Sequence, residues 1–231
     1  MVRISGLERT SLLDYPGKIS AVIFTHGCNL RCPYCHNPEL VVEKFSRKTG
    51  ITQKDLFDFL RKRKDKLDGV VITGGEPLIH SDLEKLIEKI KSMGYLVKLD
   101  SNGTQPSKLK KLLDQNLLDY IAMDVKYPKS DYFKSSTKQN FSERIQKSIN
   151  LIMNSGIDYE FRTTYVKGLH DYDSVEKIGK MIKGAKRYYI QNFRPGTTLD
   201  PSLSSQNSFS KQELQEIKRI MKKYVKKVYI R

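Results

Sequence analysis

The feature that most constrains the fold is an alternation running the length of the chain. Short runs rich in β-branched and aromatic residues are each followed by a segment of helical periodicity. SAVIFTH (20–26), GVVITGG (69–75), YLVKLDSNG (95–103), DYIAMDVKY (119–127), YEFRTTYV (159–166) and RYYIQNF (187–193) read as strands, and KKVYIR (226–231) as a possible last one. Between them, TQKDLFDFLRKRK reads as a helix capped by Thr52 with Leu56, Phe59 and Leu60 on one face. SDLEKLIEKIKSMG reads as a helix with a Ser81/Glu84 capping box, a stripe of Leu83, Leu86, Ile87 and Ile90, and Gly94 as its stop. PSKLKKLLDQN is opened by proline, SERIQKSINLIMNSG turns Ile145, Ile149 and Ile152 inward, and DSVEKIGKMIKG follows. SKQELQEIKRIMKKY carries a second capping box, Ser210 to Glu213. Repeated βα units predict an α/β fold with a parallel sheet, open or curled toward a barrel. In such sheets sites form where the strands run out, and polar residues collect there in this chain.

The 231 residues suit one domain, with a core over about 18–195 and a C-terminal loop, helix and possible strand over 196–231. The longest irregular stretch, RPGTTLDPSLSSQNS (194–208), suggests a lid or crossing loop. No apolar run approaches the roughly 18–20 residues needed to cross a bilayer, and the first residues lack a signal-peptide core, so a cytoplasmic protein is expected. The 42 Lys and Arg against 26 Asp and Glu give a formal charge of +16. That excess suits an acidic partner or a lysine-rich solvated surface. RKRK (61–64) and MKKYVKK (221–227) are its densest runs, and neither carries an RNA-binding signature.

All three cysteines, Cys28, Cys32 and Cys35, lie in CNLRCPYCHN directly after the first predicted strand. Three clustered cysteines make a poor disulfide framework. A loop of this spacing can aim three thiolates at an iron–sulfur cubane, leaving one iron without a protein ligand. Zinc held by the three thiolates with His26 or His36 is the alternative, and a purely structural cluster is a third. Further along, TGGEP (73–77) ends a strand. Its glycines allow close backbone approach, and Glu76 offers a carboxylate to an ammonium group. DSNG (100–103) offers Asp100, Ser101 and Asn102, suited to ribose hydroxyls or to an ordinary turn. MDVK (123–126) places Asp124 and Lys126 on one face, suited to a salt bridge or an amino-acid zwitterion.

In combination and order, these motifs resemble those of the radical S-adenosylmethionine (radical SAM) superfamily. The opening SLLDYPGKISAVIFTHGCNLRCPYCHNPEL and the Asp-x-Lys of MDVK narrow the resemblance to glycyl-radical-enzyme activating proteins, nearest to those of anaerobic ribonucleoside-triphosphate reductases. The resemblance is firm to about Lys126 and looser beyond. It implies a partial (β/α)6 barrel and a [4Fe-4S] cluster on Cys28, Cys32 and Cys35, whose open iron takes the amino and carboxylate groups of S-adenosylmethionine. It places Tyr34 near the adenine, Gly74, Gly75 and Glu76 at the methionine amino group, and Asp100 near the ribose. Ser101 and Asn102 would lie along the cofactor, Asp124 and Lys126 would flank the sulfonium ligand, and Arg162 would approach from the following strand. No further cysteines are present for auxiliary clusters. Gln191 and Asn192 stand where pyruvate formate-lyase activases carry a cofactor-touching histidine, and His80 and His170 match no role in the family.

The implied activity is reductive cleavage of S-adenosylmethionine to methionine and a 5′-deoxyadenosyl radical. That radical abstracts a hydrogen atom from a backbone glycine of a partner enzyme, and an acidic flavodoxin or ferredoxin supplies the electron. Nucleic acid and membrane are not expected as partners. The competing expectations are a radical SAM enzyme modifying a small molecule or a tRNA base, and a zinc protein that holds nucleic acid without chemistry.

Overall fold

The computed structural model describes residues 1–46, 48, 50–135, 139–203 and 207–231. The chain is α/β, and among the described residues eight strands follow one another in chain order. It divides into two compact units: residues 1–29, 39–101 and 107–121, and residues 30–38, 102–106 and 122–231.

In the first unit β1 (Ile4–Ser11) pairs antiparallel with β2 (Ser20–Thr25), and β3 (Gly69–Gly74) and β4 (Leu96–Ser101) add in parallel. The register sets Ser20 opposite Gly69 and Gly69 opposite Leu96, which keeps the strand starts level. Val22, Ile23, Val70, Val71, Ile72, Val97 and Leu99 are all buried, as expected of parallel strands covered on both faces. α1 (Pro38–Val42) is a short turn of helix beginning at the boundary of the units. α2 (Gln53–Lys62) starts at Thr52, whose hydroxyl accepts the Asp55 N–H. Its buried face is Leu56, Phe57 and Leu60; Phe59 is only half-buried, because Phe57 is the ring that turns inward, beneath the Lys89 ammonium at 4.0 Å.

α3 (Leu83–Ser92) buries the expected stripe, and Gly94 follows it in the left-handed region at φ +91°. Its capping box does not form. The N-cap is Asp82, with no side-chain cap bond, and Asp82 pairs instead with the Met1 ammonium at 2.7 Å. Glu84 is drawn to Lys111 at 2.6 Å and to Gln115, so two tertiary partners outbid the local one. α4 (Pro106–Asp114) opens on its proline. β1 has no counterpart among the strands read from the sequence. It is an edge strand with Glu8, Arg9 and Thr10 exposed, so it lacks the apolar signature of the covered strands.

In the second unit β5 (Tyr120–Asp124, of which residues 122–124 belong here), β6 (Asp158–Tyr165), β7 (Arg187–Asn192) and β8 (Lys227–Ile230) carry the strands, with β6–β7 and β7–β8 parallel. α5 (Ser142–Met153) buries Ile145, Ile149 and Ile152 as expected. α6 (Tyr172–Met181) is capped by Asp171 and α7 (Lys211–Met221) by the full Ser210/Glu213 box. Residues 204–206 of the long irregular stretch lie outside the described residues.

Candidate active site

The cysteine loop begins where β2 ends, and the glycine turn after β3 holds its first residues in place. Gly75 N–H donates to Thr25 O at 2.9 Å, and Glu76 N–H donates to Gly27 O at 2.8 Å, directly before Cys28. No side chain fits there. A Cβ on Gly75 would lie 2.0 Å from the Gly27 carbonyl oxygen, and one on Gly74, at φ +114°, would lie 2.3 Å from Thr25 N. The two glycines thus bring two backbones together, and the close approach read from GGEP is made here to the cysteine loop. Glu76 is fully buried. Its Oε1 accepts from Leu78 N–H at 3.1 Å and from the Ser101 hydroxyl at 2.9 Å, so a carboxylate that would be costly to bury bare is hydrogen-bonded. On β4, Asp100 pairs with Lys98, a lysine 2% exposed.

His26, one candidate fourth ligand for zinc, has both ring nitrogens engaged. Nε2 donates to Glu43 O at 2.9 Å, which leaves Nδ1 to accept from the Ser5 hydroxyl at 3.0 Å. His36, the other, stacks on Phe193 with ring centroids 5.6 Å apart.

Cys32 and Cys35 belong to the second unit, where the loop after β7 clasps Pro33 and Cys35. Leu199 N–H donates to Cys35 O at 3.1 Å, and Asp200 N–H donates to Pro33 O at 2.8 Å. On another side Arg31 N–H donates to Ser135 O at 2.7 Å. Cys35 N–H closes a turn onto Cys32 O at 3.0 Å. All three cysteines are free thiols, Cys32 buried and the others half-buried. Among the described residues no three His, Cys, Asp or Glu side chains converge as a ready-made ion site. A cubane takes one cysteine per iron, so its ligands need not converge on one point. Tyr34, between the last two cysteines, is 4% exposed and packs against Tyr127 and the edge of His170, each 6.1 Å away. Burial pushes its hydroxyl well up, and negative charge on Cys32 adds to the effect.

Asn102 forms a turn of its own, its Oδ1 accepting from Thr104 N–H at 3.0 Å and the Thr104 hydroxyl at 2.7 Å. A Cβ on Gly103, at φ +75°, would lie 2.0 Å from Met123 Cε, so this turn favours glycine. Asp124, Lys126 and Arg162 come together as an ion triad. Arg162 Nε donates to Asp124 Oδ1 at 2.8 Å and Lys126 Nζ to Oδ2 at 3.2 Å. Burial alone would raise the Asp124 carboxyl; the Arg162 guanidinium and then the Lys126 ammonium outweigh it and hold it well below the usual carboxylate range.

Sequence reading missed the groups that fix this segment. Val125 N–H donates to Arg162 O at 2.8 Å, and the Thr163 hydroxyl donates to Val125 O at 2.6 Å. Lys126 N–H donates to the Tyr132 hydroxyl at 3.0 Å, and His170 Nε2 donates to Lys126 O at 2.8 Å. Arg162 and Thr163, adjacent on β6, lie in a run already read as a strand, whereas Tyr132 and His170 lie in connecting segments with no periodic signal.

Residues 22–183 match the family model of the radical SAM superfamily. A protein of Methanocaldococcus jannaschii that carries the name of a glycyl-radical enzyme activating enzyme is 37% identical over 99% of this chain and 95% of its own. The pyruvate formate-lyase-activating enzyme of Clostridium pasteurianum is 28% identical over 86% of this chain and 84% of its own. The 7-carboxy-7-deazaguanine synthase of Aquifex aeolicus is 43% identical over a shorter stretch, 38% of each chain. Among solved structures, Streptococcus suis SuiB bound to S-adenosylmethionine superposes with a TM-score of 0.67 at 17% identity, covering 91% of this chain and 49% of that one. This last likeness concerns the fold, and it matches the α/β architecture of a partial barrel expected from the sequence. The donor set agrees as well: three free thiols on one loop, anchored by a glycine turn that tolerates no side chain. A chain matched by the family model over most of its length, with the fold and the thiol donors that the family's cofactors require, belongs to the radical SAM superfamily and is an enzyme of the [4Fe-4S] cluster and S-adenosylmethionine.

Proposed function

We propose that this enzyme activates a glycyl radical enzyme, anaerobic ribonucleotide reductase in the first instance, in the cytoplasm, with a flavodoxin or ferredoxin as electron donor. The observation that carries the reading is the 37% identity to a glycyl-radical enzyme activating enzyme across nearly the whole of both chains. The bound cofactors would supply a 5′-deoxyadenosyl radical, produced by one-electron reduction, to take a hydrogen atom from the partner's glycine Cα.

This chain's residues bind and orient. Cys28, Cys32 and Cys35 would each hold one iron. Gly74, Gly75 and Glu76 would face the methionine amino group. Asp100, Ser101 and Asn102 would lie along the ribose side, and Tyr34 would flank the adenine. Asp124, Lys126 and Arg162 would hold charged groups around the sulfonium ligand. Their prior pairing means that these charges are oriented before the cofactor arrives, which lowers the ordering cost of binding. The basic surface suits the acidic electron donor through electrostatic steering.

The shorter but closer match to a 7-carboxy-7-deazaguanine synthase favours small-molecule chemistry as the second reading. The test begins with anaerobic reconstitution, reduction, and electron paramagnetic resonance with and without S-adenosylmethionine. A cubane signal that changes with the cofactor is expected; one indifferent to it would overturn cofactor binding at the cluster. The same sample, mixed with the reductase, should then give a glycyl radical signal. Cofactor cleavage with no such signal on any glycyl radical enzyme, but with turnover of a deazapurine precursor, would favour the second reading.

A further inference from the structure

We propose that His170 is a positioning residue for Lys126: a neutral imidazole protonated on Nε2, which fixes the backbone beyond β5 and so aims the Lys126 ammonium. The functional consequence rests on the proposed reading of Asp124 and Lys126 as cofactor-binding groups.

The tautomer follows from two hydrogen bonds. His170 is 4% exposed, in the turn between β6 and α6. Its Nδ1 accepts the Val166 N–H at 3.1 Å. A ring nitrogen that accepts carries no proton, so the ring is neutral and Nε2 bears the hydrogen. That hydrogen points to the Lys126 carbonyl oxygen, 2.8 Å from Nε2. The ring cannot swing away easily. One face stacks on Tyr127, with centroids 5.1 Å apart and planes 15° apart, and Tyr165 meets it edge-on at 5.4 Å. The turn that carries it is closed by Leu169 and His170 N–H groups, both donating to Val166 O.

The position of the Lys126 carbonyl explains why this bond matters. β5 ends at Asp124, so the next two residues lack the regular ladder that would set their backbone. Instead, each polar group from Val125 N to Lys126 O meets its own partner: Arg162 O, the Thr163 hydroxyl, the Tyr132 hydroxyl and His170. These four bonds continue the strand geometry by tertiary means. They keep Lys126 on the same side as Asp124, where its Nζ reaches the carboxylate. His170 supplies the last of the four, at the peptide group that follows the Lys126 side chain. Without it that peptide can rotate, and a long flexible lysine loses its fixed base.

Glutamine and asparagine separate the two ring functions. The His170→Gln amide reaches the Nε2 position and keeps a donor for Lys126 O. The His170→Asn amide reaches the Nδ1 position and keeps the acceptor for Val166 N–H. The wild type and both variants, reconstituted anaerobically, would be titrated with S-adenosylmethionine by calorimetry. Hydrogen–deuterium exchange over residues 123–128 would be followed on the same proteins without cofactor, together with Tm. The Asn variant should bind the cofactor about tenfold more weakly and exchange faster at 126–127, while the Gln variant stays within about threefold of wild type. Both should lose similar amounts of Tm. Equal weakening in the two variants, tracking Tm, would reduce His170 to a packing residue and overturn the proposal, as would wild-type affinity in the Asn variant. Should the wild type itself fail to bind the cofactor, the cofactor reading of Asp124 and Lys126 falls. The exchange data then decide the positioning: faster exchange in Asn but not Gln upholds it, and equal exchange overturns it.

Discussion

Gly75→Ala tests the idea that the glycine turn after β3 sets the geometry of the cysteine loop. The added Cβ would stand 2.0 Å from the Gly27 carbonyl oxygen, and real Cβ atoms essentially never come within 3.0 Å of such a neighbour. The carbonyl must therefore retreat by at least 1 Å. It is the acceptor of the Glu76 N–H bond at 2.8 Å, and Cys28 is the next residue, its N only 3.3 Å from the same Cβ position. Losing that bond costs about 0.5–1.5 kcal/mol. Forcing a methyl into a packed contact costs about 1–3 kcal/mol more. The sum, about 1.5–4.5 kcal/mol, corresponds to a fall of roughly 3–18 °C in Tm for a chain of this size. A displaced Cys28 should also lower iron and sulfide bound per chain after anaerobic reconstitution. Gly94→Ala is the control. Gly94 sits at φ +91° with nothing within 4 Å of its Cβ position, so substitution strains the backbone by about 1–3 kcal/mol without touching the loop. Gly94→Ala should lower Tm and leave cluster content unchanged. If Gly75→Ala loads a full cluster and melts within about 2 °C of wild type, the turn does not set the cysteine loop.

Asp124→Asn should lose about 1–3 kcal/mol at neutral pH, since two cations are left without their shared carboxylate in a partly solvated site. The native Asp124 carboxyl is held low by Arg162 and Lys126 despite burial, so its stabilisation is present above the unfolded value near pH 4 and is lost as pH falls further. The gap between wild type and variant in urea denaturation should accordingly shrink below about pH 4. His80, buried beside Arg3, is lowered to about 4 by burial and then by that charge, so the native state resists a proton that the unfolded chain takes up. Stability should fall as pH drops from about 6.5 toward 4, and His80→Leu should flatten that slope in Tm measured against pH; an unchanged slope would remove His80 as its source.

The βα alternation was legible in the sequence because parallel strands covered on both faces are short, continuous apolar runs, and the helices between them show one apolar stripe. Ile145, Ile149 and Ile152, the Ser210/Glu213 box and the Thr52 cap depend on neighbours within four residues, and all formed as read. Where long-range partners competed, local reading failed. Glu84 left its cap position for Lys111, and Phe57 replaced Phe59 on the buried face of α2. β1 escaped notice because an edge strand with three exposed residues in a row has no apolar period to show.

The same division runs through the site. Cysteine spacing, the glycine pair and the Asp-x-Lys segment are properties of covalent order, and the sequence by itself was enough to place them at the ends of strands and to tie them to the family. Only the tertiary structure decided what the glycines press against, that Arg162 joins Asp124 and Lys126, and that both nitrogens of His26 are already engaged. It alone gave His170 its partners, because a histidine's tautomer is set by whichever groups meet its two nitrogens. Here those are Val166, four residues away, and Lys126, 44 residues away.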